Sequence, residues 1–200
     1  MMLTIIASQA QTPIKPLYLK GGDNIPGNYY KDIDNDLNKF VGIWQYNNGN
    51  TVLRIEIRKK QQVHIGEFNA YYDILVGEYS YVKDGVTKVN TLSVLNSPPV
   101  NPYNHNIVGV SIIKKNRAPV CDECAANERR VSLQFGDPSM PDVTHGPTGR
   151  IIIRRVDVGR VRKIEMKLKQ TGSALPNDNG VLGSTSFNVP WGTYILTKVN

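Results

Sequence analysis

The chain has 200 residues, 40% of them hydrophobic and 20% charged, with a formal net charge of +7. That composition is globular and long enough to bury a core, which excludes a disordered polyelectrolyte; two cysteines are too few for a disulfide-built mini-fold. Seventeen glycines and twelve prolines, spread in short clusters, imply many turns and favour strands over long helices.

Residues 1–10, MMLTIIASQA, read as the remnant of a secretory signal. A short apolar run (Leu3, Ile5, Ile6, Ala7) leads into Ser8 and Ala10, small residues where a signal peptidase reads, although the basic start is missing. The expected location is therefore secreted, periplasmic or cell-surface. No other stretch approaches about 18 consecutive apolar residues, so no transmembrane segment is expected. Residues 11–30 mix Pro13, Pro16 and Pro26 with Gly21, Gly22 and Gly27, which predicts a segment that is extended or loosely laid on the surface. Residues 31–200 form the expected single β-barrel domain. It opens on DIDNDLNKF, where Asp32 or Asp34 is placed to cap one short helical turn ending near Phe40.

Beyond Phe40 the hydrophobic period is two. Leu53, Ile55 and Ile57 alternate with Arg54, Glu56 and Arg58; Val131, Leu133 and Phe135 alternate with Ser132 and Gln134; Ile164, Met166 and Leu168 alternate with Glu165, Lys167 and Lys169. Each is a half-buried strand with one wet face. Turn signals at Asn47-Asn48-Gly49-Asn50, Lys83-Asp84-Gly85 and Val158-Gly159 separate such runs. The pattern predicts strands near 41–47, 51–60, 63–69, 71–82, 86–95, 107–115, 130–136, 149–156, 161–170 and 192–199. An all-β antiparallel meander of this length must close on itself or fold into two packed sheets. An up-and-down, lipocalin-like barrel is preferred, with a two-sheet β-sandwich as the alternative. The inward positions are bulky, so at most a small or partial cavity is expected.

The heptad Phe40-Val41-Gly42-Ile43-Trp44-Gln45-Tyr46 resembles the opening strand of the lipocalin and fatty-acid-binding-protein superfamily, with its Gly-x-Trp after a short helical turn. That resemblance implies that Gly42 lets a neighbouring backbone approach and that Trp44 plugs the closed end of the barrel. It also implies a basic side chain over the indole, for which Lys198 is the only candidate near the final strand. More of the chain resembles an uncharacterised family of secreted Bacteroidota proteins, a domain of unknown function. The matching stretches are Asp36 to Trp44, Gly77-Glu78-Tyr79-Ser80-Tyr81 with Asp84-Gly85-Val86, and Ile195-Leu196-Thr197-Lys198. No activity is carried over from it.

Candidate chemistry is sparse. Cys121-Asp122-Glu123-Cys124 is read as a tight local disulfide, with a zinc half-site completed by His105 or His145 as the lesser reading. The three histidines (His64, His105, His145) show no ligand spacing, so no metal is expected. Asp32, Asp34 and Asp36 resemble the start of a calcium loop, but Leu37 and Ile43 stand where its glycine and glutamate belong, leaving a solvated cap or turn. Residues 101–200 carry 14 Lys and Arg against 8 Asp and Glu, and most of that excess lies between Arg150 and Lys169. Arg154, Lys167 and Lys169 form either a solvated strand face or a polyanion face. Residues 150–169 hold no aromatic residue, which disfavours nucleic acid as a partner. Glu67, Asp73 and Glu78 sit where a barrel interior could gather carboxylates, but no nucleophile motif, phosphate loop or dinucleotide fingerprint accompanies them, so no catalytic residue and no cofactor is named. Among the early aromatics, Trp44, Tyr46, Tyr79 and Tyr81 are the candidate lining of a ligand site. The expectation is an exported, non-enzymatic lipocalin-like binding module for a small apolar ligand. The alternative is a structural or surface-interaction protein with a filled barrel, contacting proteins or anionic glycans.

Overall fold

The computed structural model describes residues 12–19, 24–140, 147–173, 176, 180 and 186–199. The signal-like residues 1–10 and His145 lie outside these.

Among the described residues, eleven strands make one sheet. They are β1 (Ile14–Pro16), β2 (Tyr29–Lys31), β3 (Gly42–Asn48), β4 (Thr51–Ile65), β5 (Ala70–Lys83), β6 (Val86–Asn90), β7 (Ile107–Lys114), β8 (Arg129–Phe135), β9 (Thr148–Arg155), β10 (Lys163–Gly172) and β11 (Gly192–Val199). Only short 3-10 turns interrupt them among the described residues, and no helix there is long and apolar enough to cross a membrane. Eight strands run up and down as β3-β4-β5-β7-β8-β9-β10-β11, with β11 returning to β3 and β7 pairing β5 through Leu75–Gly77. Every strand of the ring has a neighbour on both edges, so the sheet is a closed antiparallel barrel rather than a sandwich.

The inward set follows the period-two pattern. Leu53, Ile55, Ile57, Leu133, Phe135, Ile153, Ile164, Met166 and Leu168 are all buried in one continuous hydrophobic cluster. Register brings them together: Trp44 faces Ile55, Ile55 faces Tyr79, and Met166 faces both Tyr194 and Ile153. Bulky side chains from all sides thus meet across the barrel axis and fill it.

Two local expectations differ from what the fold adopts. The strands expected at 51–60 and 63–69 are one strand, β4, because the break between Lys60 and Val63 is a bulge in which Gln62 takes a left-handed φ of +52° and pairing with β5 resumes. The strand expected at 86–95 ends at Asn90, since Thr91 bonds back to the Tyr79 carbonyl and Leu92–Leu95 winds into a 3-10 turn that buries Leu95. Of the two expectations for the N-terminal segment, extended or loosely laid, β1 and β2 are extended and are held in place: β1 pairs β2 in parallel, and β2 pairs the first residues of β5. What holds them is aromatic. Tyr30 stacks on Tyr72 at 4.8 Å, and the Tyr29 hydroxyl donates to Asp73 at 2.6 Å.

Candidate functional site

Trp44 is packed among residues of β3, the preceding turn, β9 and β11. Its indole is fully buried, and Nε1 donates to the Phe40 carbonyl at 2.7 Å, so the 3-10 turn Asn38–Phe40 is tied to the ring. Lys198 Nζ lies 5.5 Å from the ring centroid and donates to the Val41 carbonyl at 3.1 Å. Lys198 is not the only cation there: the Arg155 guanidinium, from the end of β9, lies 5.5 Å from the same ring. Two cations thus share the indole. Gly42 is favoured by its own backbone conformation, and what lies over it is the movable end of a lysine, not an approaching backbone. A Cβ there would stand 2.8 Å from Lys198 Cε, and the local φ of +124° disfavours any other residue.

One end of the barrel is stoppered by a segment outside the meander. Phe187 and Val189 are buried, and Phe187 packs against Phe135 at 6.0 Å and Trp191 at 4.6 Å between ring centroids. Its ring sits over Gly149, where a Cβ would come within 2.5 Å of Phe187 Cε2. The buried Asp137 carboxylate fixes the stopper, accepting from the Asn188 backbone and side chain and from Ser139. Sequence reasoning passed over Phe187, Asp137 and Trp191, because they lie in loops without period. The one available signal was the aromatic pair Phe187 and Trp191 flanking Asn188, Val189 and Pro190.

The tyrosines named as ligand lining are held by neighbours. Tyr79 stacks on Phe135 at 4.7 Å and donates to the Gly136 carbonyl at 3.2 Å; Tyr46 meets Tyr194 edge-on at 5.1 Å; Tyr81 is buried opposite Leu53. Burial raises the pKa of several tyrosines: Tyr72 and Tyr194 are pushed up to about 12, while Tyr79, Tyr81, Tyr103 and, with help from the Asp73 hydrogen bond and charge, Tyr29 are also raised. A neutral phenol favoured by folding stabilises fully below the ordinary value near about 10, and that contribution is lost as pH climbs through the folded values. An alkaline absorbance titration of the native protein is therefore expected to show these six tyrosines ionising late, above the ordinary phenol range. All ten tyrosines ionising together in native protein would contradict this packing.

The carboxylates do not gather inside the barrel. Glu67 is exposed in a 3-10 turn, whereas Asp73 and Glu78, of opposite parity on β5, serve two separate buried networks. Asp73 accepts from Tyr29, from the Asp32 and Gln62 backbones, and faces Lys59 at 3.5 Å. Glu78 points to the outer face beneath residues 91–106, where it takes His105 Nδ1 at 2.7 Å and Asn106 Nδ2 at 2.6 Å. His64 is exposed beside Asn69. The alternating aspartates are also not a solvated cluster. Asp32 is buried, pairs with Lys59 at 2.8 Å and accepts from the Asp36 and Leu37 backbones; it thereby braces the approach to the turn Asn38–Phe40, whose own N-cap, Leu37, has no side-chain hydrogen bond. Asp36 is buried as well and, with the exposed Asp34, holds Arg129.

Cys121 and Cys124 form a disulfide, which withdraws both thiolates from any zinc half-site. The bridge presents Glu123 to the barrel wall. Glu123 binds Lys167 at 2.6 Å and reaches Arg154 at 3.8 Å, and the Lys167 hydrogen bond holds its carboxyl down at about 2. Glu165 pairs with both cations as well, and Glu128 with Arg154. Two of the three residues of the candidate polyanion face are thus already countered. Lys169 is exposed and unpaired among the described residues, as is its cross-strand neighbour Arg150. Beside them, a groove of about 440 Å³ opens between the end of β10 and the start of β11, lined by Lys167, Lys169, Gln170, Trp191 and Thr193.

The model of a family of unknown function, DUF6705, matches residues 1–199. No curated protein matches, and no solved structure matches.

Proposed function

The chain belongs to DUF6705, a family of unknown function, so its role has to be read from its own residues, and we propose that it is an exported, non-enzymatic, filled β-barrel that works as a surface-interaction protein. The observation that carries this reading is the occupied interior. Trp44, Phe187 and Val189 are buried, and aliphatic and aromatic side chains join them in one hydrophobic cluster. A barrel of eight strands has room either for such a filling or for one small ligand. Here Tyr46 and Tyr79, which a ligand would touch, are committed to ring contacts and a hydrogen bond, and Tyr81 is buried opposite Leu53. Export is supported by the Cys121–Cys124 disulfide, a bond that persists in oxidising compartments. The outer wall, with its disulfide-anchored loop and excess of cations, is then the part of the molecule available to partners.

The test is titration with an environment-sensitive, fatty-acid-like dye, following the dye and tryptophan emission together. No saturable uptake is expected. One-to-one binding at micromolar concentration would overturn the reading in favour of a carrier of small apolar ligands.

A further inference from the structure

The groove between β10 and β11 pairs an aromatic ring with unneutralised positive charge. We infer that it binds an acidic oligosaccharide, such as a uronic-acid chain; this inference rests on the surface-interaction reading and deepens it.

The floor and walls are suited to a sugar ring. Trp191 is partly exposed, and its indole is backed by Phe187 at 4.6 Å, which is itself wedged over Gly149 and against Phe135. The ring is therefore held in place before any ligand arrives, and a held aromatic face offers contact area at little entropic cost. The next residue, Gly192, has no side chain, and a Cβ added there would meet nothing within 4 Å, so the groove stays open beside the indole. Gln170 donates its amide to the Gly172 carbonyl, which orients the side chain and leaves the amide oxygen to accept from a hydroxyl; the Thr193 hydroxyl lies on the same rim. The volume, about 440 Å³, falls within the roughly 300–1,000 Å³ of small-molecule clefts.

Charge decides the class of sugar. Lys169 lines the groove, Arg150 stands opposite it across the β9–β10 ladder, and both are exposed without an acidic partner among the described residues. Lys167, one step inward on the same face, already holds the protein's own carboxylate, Glu123, at 2.6 Å. That pair shows what this surface takes up: a carboxylate laid against the lysine row. An apolar ligand would have to desolvate these cations, and a neutral sugar would leave Lys169 unused.

The experiment titrates the full chain with tetragalacturonate and, in parallel, with a neutral tetrasaccharide, by calorimetry and tryptophan emission. Trp44 is fully buried, so the emission change reports on Trp191. Saturable binding of tetragalacturonate alone is expected, weakening with salt. Lys169→Gln is expected to weaken it about tenfold. Trp191→Ala is expected to remove it, and Lys88→Gln on the distant β6 to leave it unchanged. Should Trp191→Ala fail to fold, Lys169→Gln and Gln170→Ala decide alone. Equal binding of the two sugars, no binding of either, or indifference to Lys169→Gln would overturn the proposal. Failure here with no dye uptake leaves the surface-interaction reading intact, whereas dye uptake removes that reading itself.

Discussion

Replacing Trp44 by alanine is expected to destabilise the barrel by about 3–5 kcal/mol, the range for truncating a large buried aromatic. The indole is fully buried, anchors the Phe40 carbonyl through Nε1, and carries Lys198 and Arg155 on its faces. The truncation would leave a cavity, an unpaired carbonyl and two cations without their ring. Trp44→Phe separates these contributions: it keeps much of the volume but loses the hydrogen bond, at an expected cost of about 1–2 kcal/mol. Urea denaturation measures both. An unchanged midpoint and slope for Trp44→Ala would remove the plug assignment.

Asp73→Ala is expected to cost a similar amount, about 3–5 kcal/mol, for a different reason. The carboxylate is fully buried and accepts from the Tyr29 hydroxyl at 2.6 Å, the Asp32 N–H at 3.0 Å and the Gln62 N–H at 3.2 Å. Alanine would leave two buried donors, the Tyr29 hydroxyl and the Asp32 N–H, and the part-buried Gln62 N–H without their acceptor, while Lys59 keeps Asp32. Because those donors belong to β2, to the turn after it and to the β4 bulge, the loss should be local first. Hydrogen exchange is expected to quicken across residues 24–37 before the barrel ladders. Asp73→Asn, which keeps one acceptor oxygen, should fall well short of the alanine effect. A shift for Asp73→Ala below about 1 kcal/mol would mean that water already satisfies these groups, contrary to their burial.

The strand faces were legible in the sequence because alternation is a local property. Leu53-Ile55-Ile57 and Ile164-Met166-Leu168 occupy the inward face as their spacing requires, and the Asp84-Gly85 turn has both residues at positive φ. The turn ending at Phe40 was legible from the aspartate-rich segment before it, and the burial of Trp44 only from the resemblance of Gly42-Ile43-Trp44 to a lipocalin opening strand. The networks were not. Asp73 and Glu78 look alike in sequence, and only the covering segments, residues 24–37 for one and 91–106 for the other, make them buried acceptors. Arg155 could not be placed on Trp44 from sequence, since 111 positions of chain separate them (155 less 44) and only barrel closure joins the end of β9 to β3.

What the sequence by itself determined is therefore the class of the protein: all-β, antiparallel, one apolar face per strand, with the cysteine pair close enough along the chain to bridge. Tertiary structure alone decided how that class is used. Closure of the barrel turned bulky inward residues into a filling, because side chains that merely share a face in sequence meet across an axis about which the sequence carries no local signal. Loop docking placed Phe187 over Gly149, laid Glu123 on Arg154 and Lys167, and left Lys169 beside Trp191. Those contacts join loops and strands far apart in the chain, and their energy depends on burial and distance in space, which alternation along a strand does not encode.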